Sequence, residues 1–271
     1  MLTISSNFTR YDFERVNLFL PKLIKVFDKY FDELLFFYDE GPEVGRIKKL
    51  HSSKNVTTFD EDQIQDILNL DSRIKIVKLD ESILKLTSIH FFKNEHVLKC
   101  SAGTPISHFL NVFLLAKNQY IFRCDCDVFF YDNGFINLSI DKIRQNQIFV
   151  QPPSHFSSER TFSTRAFFAN KDALNNCLPI KPLKRGLKTI IKCYLSGNYV
   201  SPYYSLEEML QTYFHNQTTY IDRYYGDTLH VCTRDEFTLT NFSKNMDRFL
   251  CGDIPKKQKE FSINYNHNLW D

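Results

Sequence analysis

The chain has 271 residues, 43% hydrophobic, 24% charged and 15% aromatic, the balance of a folded protein with material for a sizeable core. Its net charge of +2, from 34 Lys and Arg against 32 Asp and Glu, offers no basic surplus for a nucleic-acid partner. Only 8 glycines occur, and none are spaced as G-x-G-x-x-G or G-x-x-x-x-G-K-[ST], which argues against a dinucleotide-binding Rossmann enzyme and a P-loop NTPase.

Leu2 to Phe8 (LTISSNF) alternates and is β-branched, the pattern of a buried first strand. Phe13, Val16, Phe19, Leu20, Leu23, Ile24, Phe27, Tyr30 and Phe31 then recur at helical spacing, with Pro21 expected to kink the helix or start a second one. Leu34 to Tyr38 (LLFFY) is a continuous apolar run ending at Asp39-Glu40-Gly41-Pro42, as a central strand meeting a turn would. A polar stretch follows, with a helix expected over Asp60 to Leu70, and Arg73 to Leu79 (RIKIVKL) alternates as a third strand ending at Asp80. Thr104 can cap a further helix, with Pro105 in its first turn and Phe109, Val112, Phe113 and Ala116 on one face. Tyr120 to Cys124 (YIFRC) comes next, then Asp125-Cys126-Asp127 and Val128 to Tyr131 (VFFY). Beyond residue 147, Ile148 to Gln151 and Thr161 to Ala169 read as strands and 186–196 and 205–215 as helices. The last 45 residues are short β-like pieces with a polar end.

No apolar run reaches the roughly 18 to 20 residues that span a bilayer, and Met1 to Phe8 does not look like a secretion signal. The 7 cysteines are scattered and form no C-x-x-C, so reduced thiols and a cytoplasmic protein are expected, with peripheral contact to the inner face of a membrane left open. Strands alternating with helices over the first 130 residues imply an α/β sandwich with a mostly parallel sheet. Ligands in such sheets sit at the carboxyl ends of the strands, which here carry Asn7 and Arg10, Asp39, Asp80, and Asp125 with Asp127.

An Asp-x-Asp pair alone means little in a chain with 20 aspartates. Asp60 and Asp62 open a polar helix, where negative charge suits the helix dipole. Asp125 and Asp127 interrupt apolar sequence on both sides, and two residues apart on a strand their carboxylates would point the same way. Like charges beside a core need a cation, and a divalent ion such as Mn²⁺ or Mg²⁺ with oxygen ligands meets that need. The alternative is a solvent-facing turn at a strand end.

Taken together, Ser5-Ser6-Asn7, Asp39, Ser107-His-Phe-Leu-Asn111 and Tyr120 to Asp127 resemble the GT-A glycosyltransferases, over roughly residues 1–215. The resemblance implies a GT-A (Rossmann-like) α/β/α sandwich with a mostly parallel central sheet. The catalytic domain would span 1–225, with a nucleotide-sugar half of about 1–131 and an acceptor half of about 132–225; an irregular C-terminal extension, 226–271, would pack on it. The implied activity is a metal-dependent, nucleotide-sugar glycosyltransferase of the hexosyltransferase class. It would use a UDP-sugar by default and a glycan or lipid-linked glycan acceptor, with inversion favoured, in surface polysaccharide or glycan synthesis.

Carried over residue by residue, Asp127 would hold the metal, and Asp125 would contact the ribose or sugar and the metal's water ligands. Asn7, Arg10 and Asp39 would line the base and ribose pocket, unless Asp39 is only a turn acid. Asn111 would support the aspartate segment, unless it is purely structural. Inverting transfer needs a carboxylate base, and Glu208, then Glu207, are the candidates in Ser205-Leu-Glu-Glu; a capping box from Ser205 would instead occupy Glu208. His267, or in competition His230, would complete the metal shell. A sugar nucleotidyltransferase and a non-catalytic nucleotide- or glycan-binding protein are the rival readings, the former without its Gly-rich signature.

Overall fold

A computed structural model of the chain describes residues 1–9, 12–39, 60–78, 111–126, 128–130, 134–152, 162–177, 210, 211, 213–221 and 228–230. Strand β1 (Leu2–Thr9) leads to helix α1 (Phe13–Phe27) and back to β2 (Phe31–Asp39). Helix α2 (Glu61–Asn69) precedes β3 (Ile74–Lys78), and helical residues 111–115 precede β4 (Tyr120–Cys124) and β5 (Val128–Phe130). Then come α3 (Gly134–Arg144), β6 (Phe149–Gln151), β7 (Ala166–Asn170), α4 (Lys171–Asn175), β8 (Thr218–Tyr220) and β9 (Thr228–His230).

Seven strands form one sheet in the order β3-β2-β1-β4-β7-β6-β8. The β1–β2, β1–β4, β2–β3 and β6–β8 pairs are parallel, while β7 runs antiparallel to both β4 and β6. The mostly parallel sheet expected from the alternation of elements is therefore present.

Its two faces are read directly from the alternation within each strand. Leu2, Ile4 and Phe8 of β1 and Phe122 and Cys124 of β4 join a core with α1, α2 and α3. Leu35 and Phe37 of β2, Ile121 of β4 and Phe167 of β7 join a second core with Val112, Phe113, Leu210 and Phe214. Helices thus cover both faces, because a parallel sheet buried on both sides needs a helix layer on each. Phe122 sits at the middle of the first core, its ring 4.5 Å from those of Phe27 and Phe168 and 5.4 Å from that of Phe130.

Three expectations need correcting. Pro21 neither ends α1 nor starts a second helix: one helix runs through it. Both Pro21 and Asn17, whose carbonyl a proline ring crowds, are exposed, so the broken rung faces water while Val16, Phe19, Leu20, Leu23 and Phe27 anchor both halves. The helix also stops at Phe27, and Phe31 is the first residue of β2, fully buried there.

The third correction concerns the aspartates. They do not lie within one strand: β4 ends at Cys124, and β5 belongs to a separate two-stranded sheet with β9. The Val128 N–H donates to the Asp125 carbonyl at 3.3 Å, closing a turn between the two sheets. Strand alternation therefore does not set the direction of the Asp125 side chain, which follows the end of β4.

Candidate functional site

Sheet register brings several of the anticipated residues to one edge. Ser5 of β1 lies level with Arg123 of β4, with Asn7 two residues further along β1 and Asp125 two residues further along the chain from Arg123. Thr9 at the end of β1 lies level with Asp39 at the end of β2. The carboxyl ends of the parallel strands β1, β2 and β4 thus meet at the position where α/β sheets bind ligands.

The side chain that joins these ends is Arg123. Its Nη2 bonds Asp125 Oδ1 at 2.7 Å and Asn7 Oδ1 at 2.9 Å, and its Nη1 donates to the Thr164 carbonyl just before β7. The Arg123 side chain is 3% exposed and that of Asp125 29%. A buried charge is tolerated only when paired and hydrogen-bonded, and the fork of Arg supplies enough donors for all three partners. The Asp125 N–H is fixed as well, donating to the Arg165 carbonyl at 2.8 Å. Asp125 is consequently held from both its backbone and its side chain while keeping part of its carboxylate open to solvent.

Arg123 was not among the residues singled out from the sequence. The signal was present: a lone charged residue inside the apolar run Tyr-Ile-Phe-Arg-Cys, two residues before an aspartate. The cation anticipated for the aspartates is, for Asp125, supplied in part by the chain itself.

Asn111 is fully buried, and neither its Oδ1 nor its Nδ2 has a hydrogen-bond partner. It lies on helical residues 111–115, whose neighbours Val112 and Phe113 belong to the second core. No bond to the aspartate turn accompanies it. For Asp39 the backbone is described and its side chain is not. Arg10, Asp127, Glu207, Glu208 and His267 lie outside the described residues, as does Asp80. His230 closes β9, where it stands across from Val128, one residue beyond Asp127 in sequence.

As a metal centre the described part is incomplete. Asp125 offers a hard oxygen donor, of the kind Mg²⁺ and Mn²⁺ take, with one oxygen already bonded to Arg123. Among the described residues no group of three or more His, Cys, Asp or Glu is placed to hold an ion. Asp125 therefore fits such an ion as one ligand of a set, or as the acceptor for its water shell. Cys124 and Cys126 flank Asp125 as buried cysteines on the first core. No helix among the described residues is long and apolar enough to cross a membrane.

No protein-family model and no curated protein matches the chain. Solved structures do. The galactosyltransferase LgtC, solved with donor and acceptor sugar analogs, is 10% identical with a TM-score of 0.51, over 82% of this chain and 74% of that one. An active-site mutant of LgtC is 9% identical with a TM-score of 0.50, over 82% and 73%. Mouse xyloside xylosyltransferase 1 is 10% identical with a TM-score of 0.49, over 82% and 85%. At such identities the likeness to LgtC concerns the architecture, which is that of the GT-A glycosyltransferases: a mixed α/β fold with a mostly parallel seven-stranded sheet.

Proposed function

We propose that this chain is a glycosyltransferase that moves a sugar from a nucleoside diphosphate sugar to the hydroxyl of a glycan or lipid-linked glycan. One observation carries the reading: in a GT-A architecture, an aspartate turn closes the carboxyl end of β4, and Arg123 binds its Asp125 together with Asn7 at the end of β1. That is where a sugar nucleotide would lie across the strand ends. UDP is the default nucleotide, on resemblance alone.

In this reading Asn7, Arg10 and Asp39 line the nucleoside pocket. Asp125 accepts hydrogen bonds from the donor or from metal-bound water, a role compatible with its one oxygen on Arg123. Asp127 and His267 would hold Mn²⁺ or Mg²⁺, and the β5–β9 register supports His230 as the alternative imidazole. The ion, when bound, would supply positive charge to the departing diphosphate. Glu208 or Glu207 would accept the proton of the attacking acceptor hydroxyl, giving inversion. Work on surface polysaccharide from the cytoplasmic side, touching a membrane only peripherally, completes the proposal.

Thermal denaturation with UDP, GDP, CDP or ADP and their sugar conjugates, with and without Mn²⁺, tests it. One nucleotide should raise the melting temperature only with metal, and Asp127→Ala should abolish the shift. Equal shifts in wild type and Asp127→Ala would remove the metal site from the proposal.

A further inference from the structure

We infer that Arg123 is a positioning residue for the donor site, a fixed internal cation that sets the orientation of Asp125 and Asn7 before any ligand arrives. The inference rests on the function proposed above and adds a residue to its machinery.

Three observations support it. The first is where the contacts go: Asn7 on β1, Asp125 in the turn after β4, and the Thr164 carbonyl before β7. All three lie at the carboxyl-end edge, so one guanidinium ties together the segments that would surround a sugar nucleotide.

The second is the cost of the choice. Ile121, Phe122 and Cys124 around it in β4 are fully buried, and Arg123 itself is 2% exposed. An apolar residue would suit that strand at least as well for stability, because a buried ion pair seldom outperforms well-packed apolar groups. Across the register, Ser5 is small and buried, which leaves room for the long side chain.

The third is shape. An aspartate or asparagine side chain turns broadly about its last torsion, and a planar fork restrains it as a point charge cannot. Without Arg123, Asp125 would keep its backbone bond to Arg165 and lose the guanidinium contact to its carboxylate.

The test compares Arg123→Met, Arg123→Lys and, as a control at the far end of the sheet, Glu33→Gln. Calorimetric titration with whichever of UDP, GDP, CDP or ADP the wild type binds in Mn²⁺ gives affinity and the Mn²⁺ concentration for half-maximal binding. Arg123→Met should weaken binding by roughly 10- to 100-fold, the range found when groups behind metal ligands are removed, and raise the Mn²⁺ requirement. Arg123→Lys should fall between Met and wild type, and Glu33→Gln should bind as wild type even though it melts lower.

If Arg123→Met cannot be purified folded, the Lys variant decides: wild-type affinity and Mn²⁺ requirement in it overturn the inference. Wild-type binding in Arg123→Met does the same and leaves the proposed function standing. Loss of binding in Glu33→Gln equal to that in the Arg123 variants would also overturn it, since stability alone would then explain the loss. A wild type that binds none of the four nucleotides with Mn²⁺ would overturn the proposed function, and this inference with it.

Discussion

Glu33 shows how single residues hold the end of the sheet opposite the candidate site. Its carboxylate is 2% exposed and accepts from Thr3 Oγ1 at 2.7 Å, Lys75 Nζ at 2.8 Å and the Lys117 N–H at 2.9 Å. Burial would raise its pKa, but these donors outweigh burial and hold it below the ordinary Glu value of 4.5. A carboxylate depressed by folding contributes stability above its unfolded pKa, and that stability is lost as pH falls through the folded value. Glu33→Gln should therefore cost about 1–3 kcal/mol at pH 7. The gap to wild type should close as pH falls below 4.5, read by urea denaturation across pH. Asp32 behaves alike: burial opposes ionisation, while Asn118 and Lys117 more than compensate and lower its pKa. A second residue-scale expectation follows from the ring contacts of Phe122: Phe122→Ala should destabilise by about 3–5 kcal/mol through the cavity it leaves.

At the scale of elements, helix α1 is held by what it buries rather than by its backbone. Its interior proline sacrifices a hydrogen bond on the exposed side, and Arg73 secures its far end. That guanidinium bonds the Asp28 carbonyl at 2.8 Å and the Asp28 carboxylate at 2.7 Å just past the helix, and Asp71 at 2.6 Å. It also stacks 3.9 Å above the Phe31 ring. Pro21→Ala, restoring the missing bond on the solvent face, should raise stability by about 1 kcal/mol in thermal denaturation. Helix α2 needs no such brace, because Asp60 and Gln63 form a reciprocal capping box. The elements legible in sequence were those with a clean period: the LLFFY strand, the RIKIVKL strand and the capped helix from Asp60. Helix α3 and short α4 were not anticipated, since Gly134 to Arg144 has a narrow apolar stripe and Lys171–Asn175 spans barely more than a turn.

At the scale of the molecule, architecture and candidate site are linked by the sheet edge at which β1, β2 and β4 end. A bound nucleotide stabilises by mass action, about 2.7 kcal/mol at a ligand concentration of 100 times Kd, so the thermal shift proposed above is large enough to measure. A transferase also differs from a binding protein in turnover. Glu207→Gln combined with Glu208→Gln should keep nucleotide affinity and lose sugar transfer by at least about 100-fold, measured as nucleotide release in the presence of acceptor. Retained release would exclude both glutamates as the base.

Local sequence was sufficient for the α/β class and for strands β1, β2 and β3, because period and apolar run length depend only on near neighbours. The geometry around Asp125 was out of its reach. That β4 and β5 belong to different sheets, and that Arg123 reaches Asn7, 116 residues away in the chain, depend on which strands lie side by side. Such long-range pairing is set by packing of the whole sheet between its helix layers, and no short window of residues contains it.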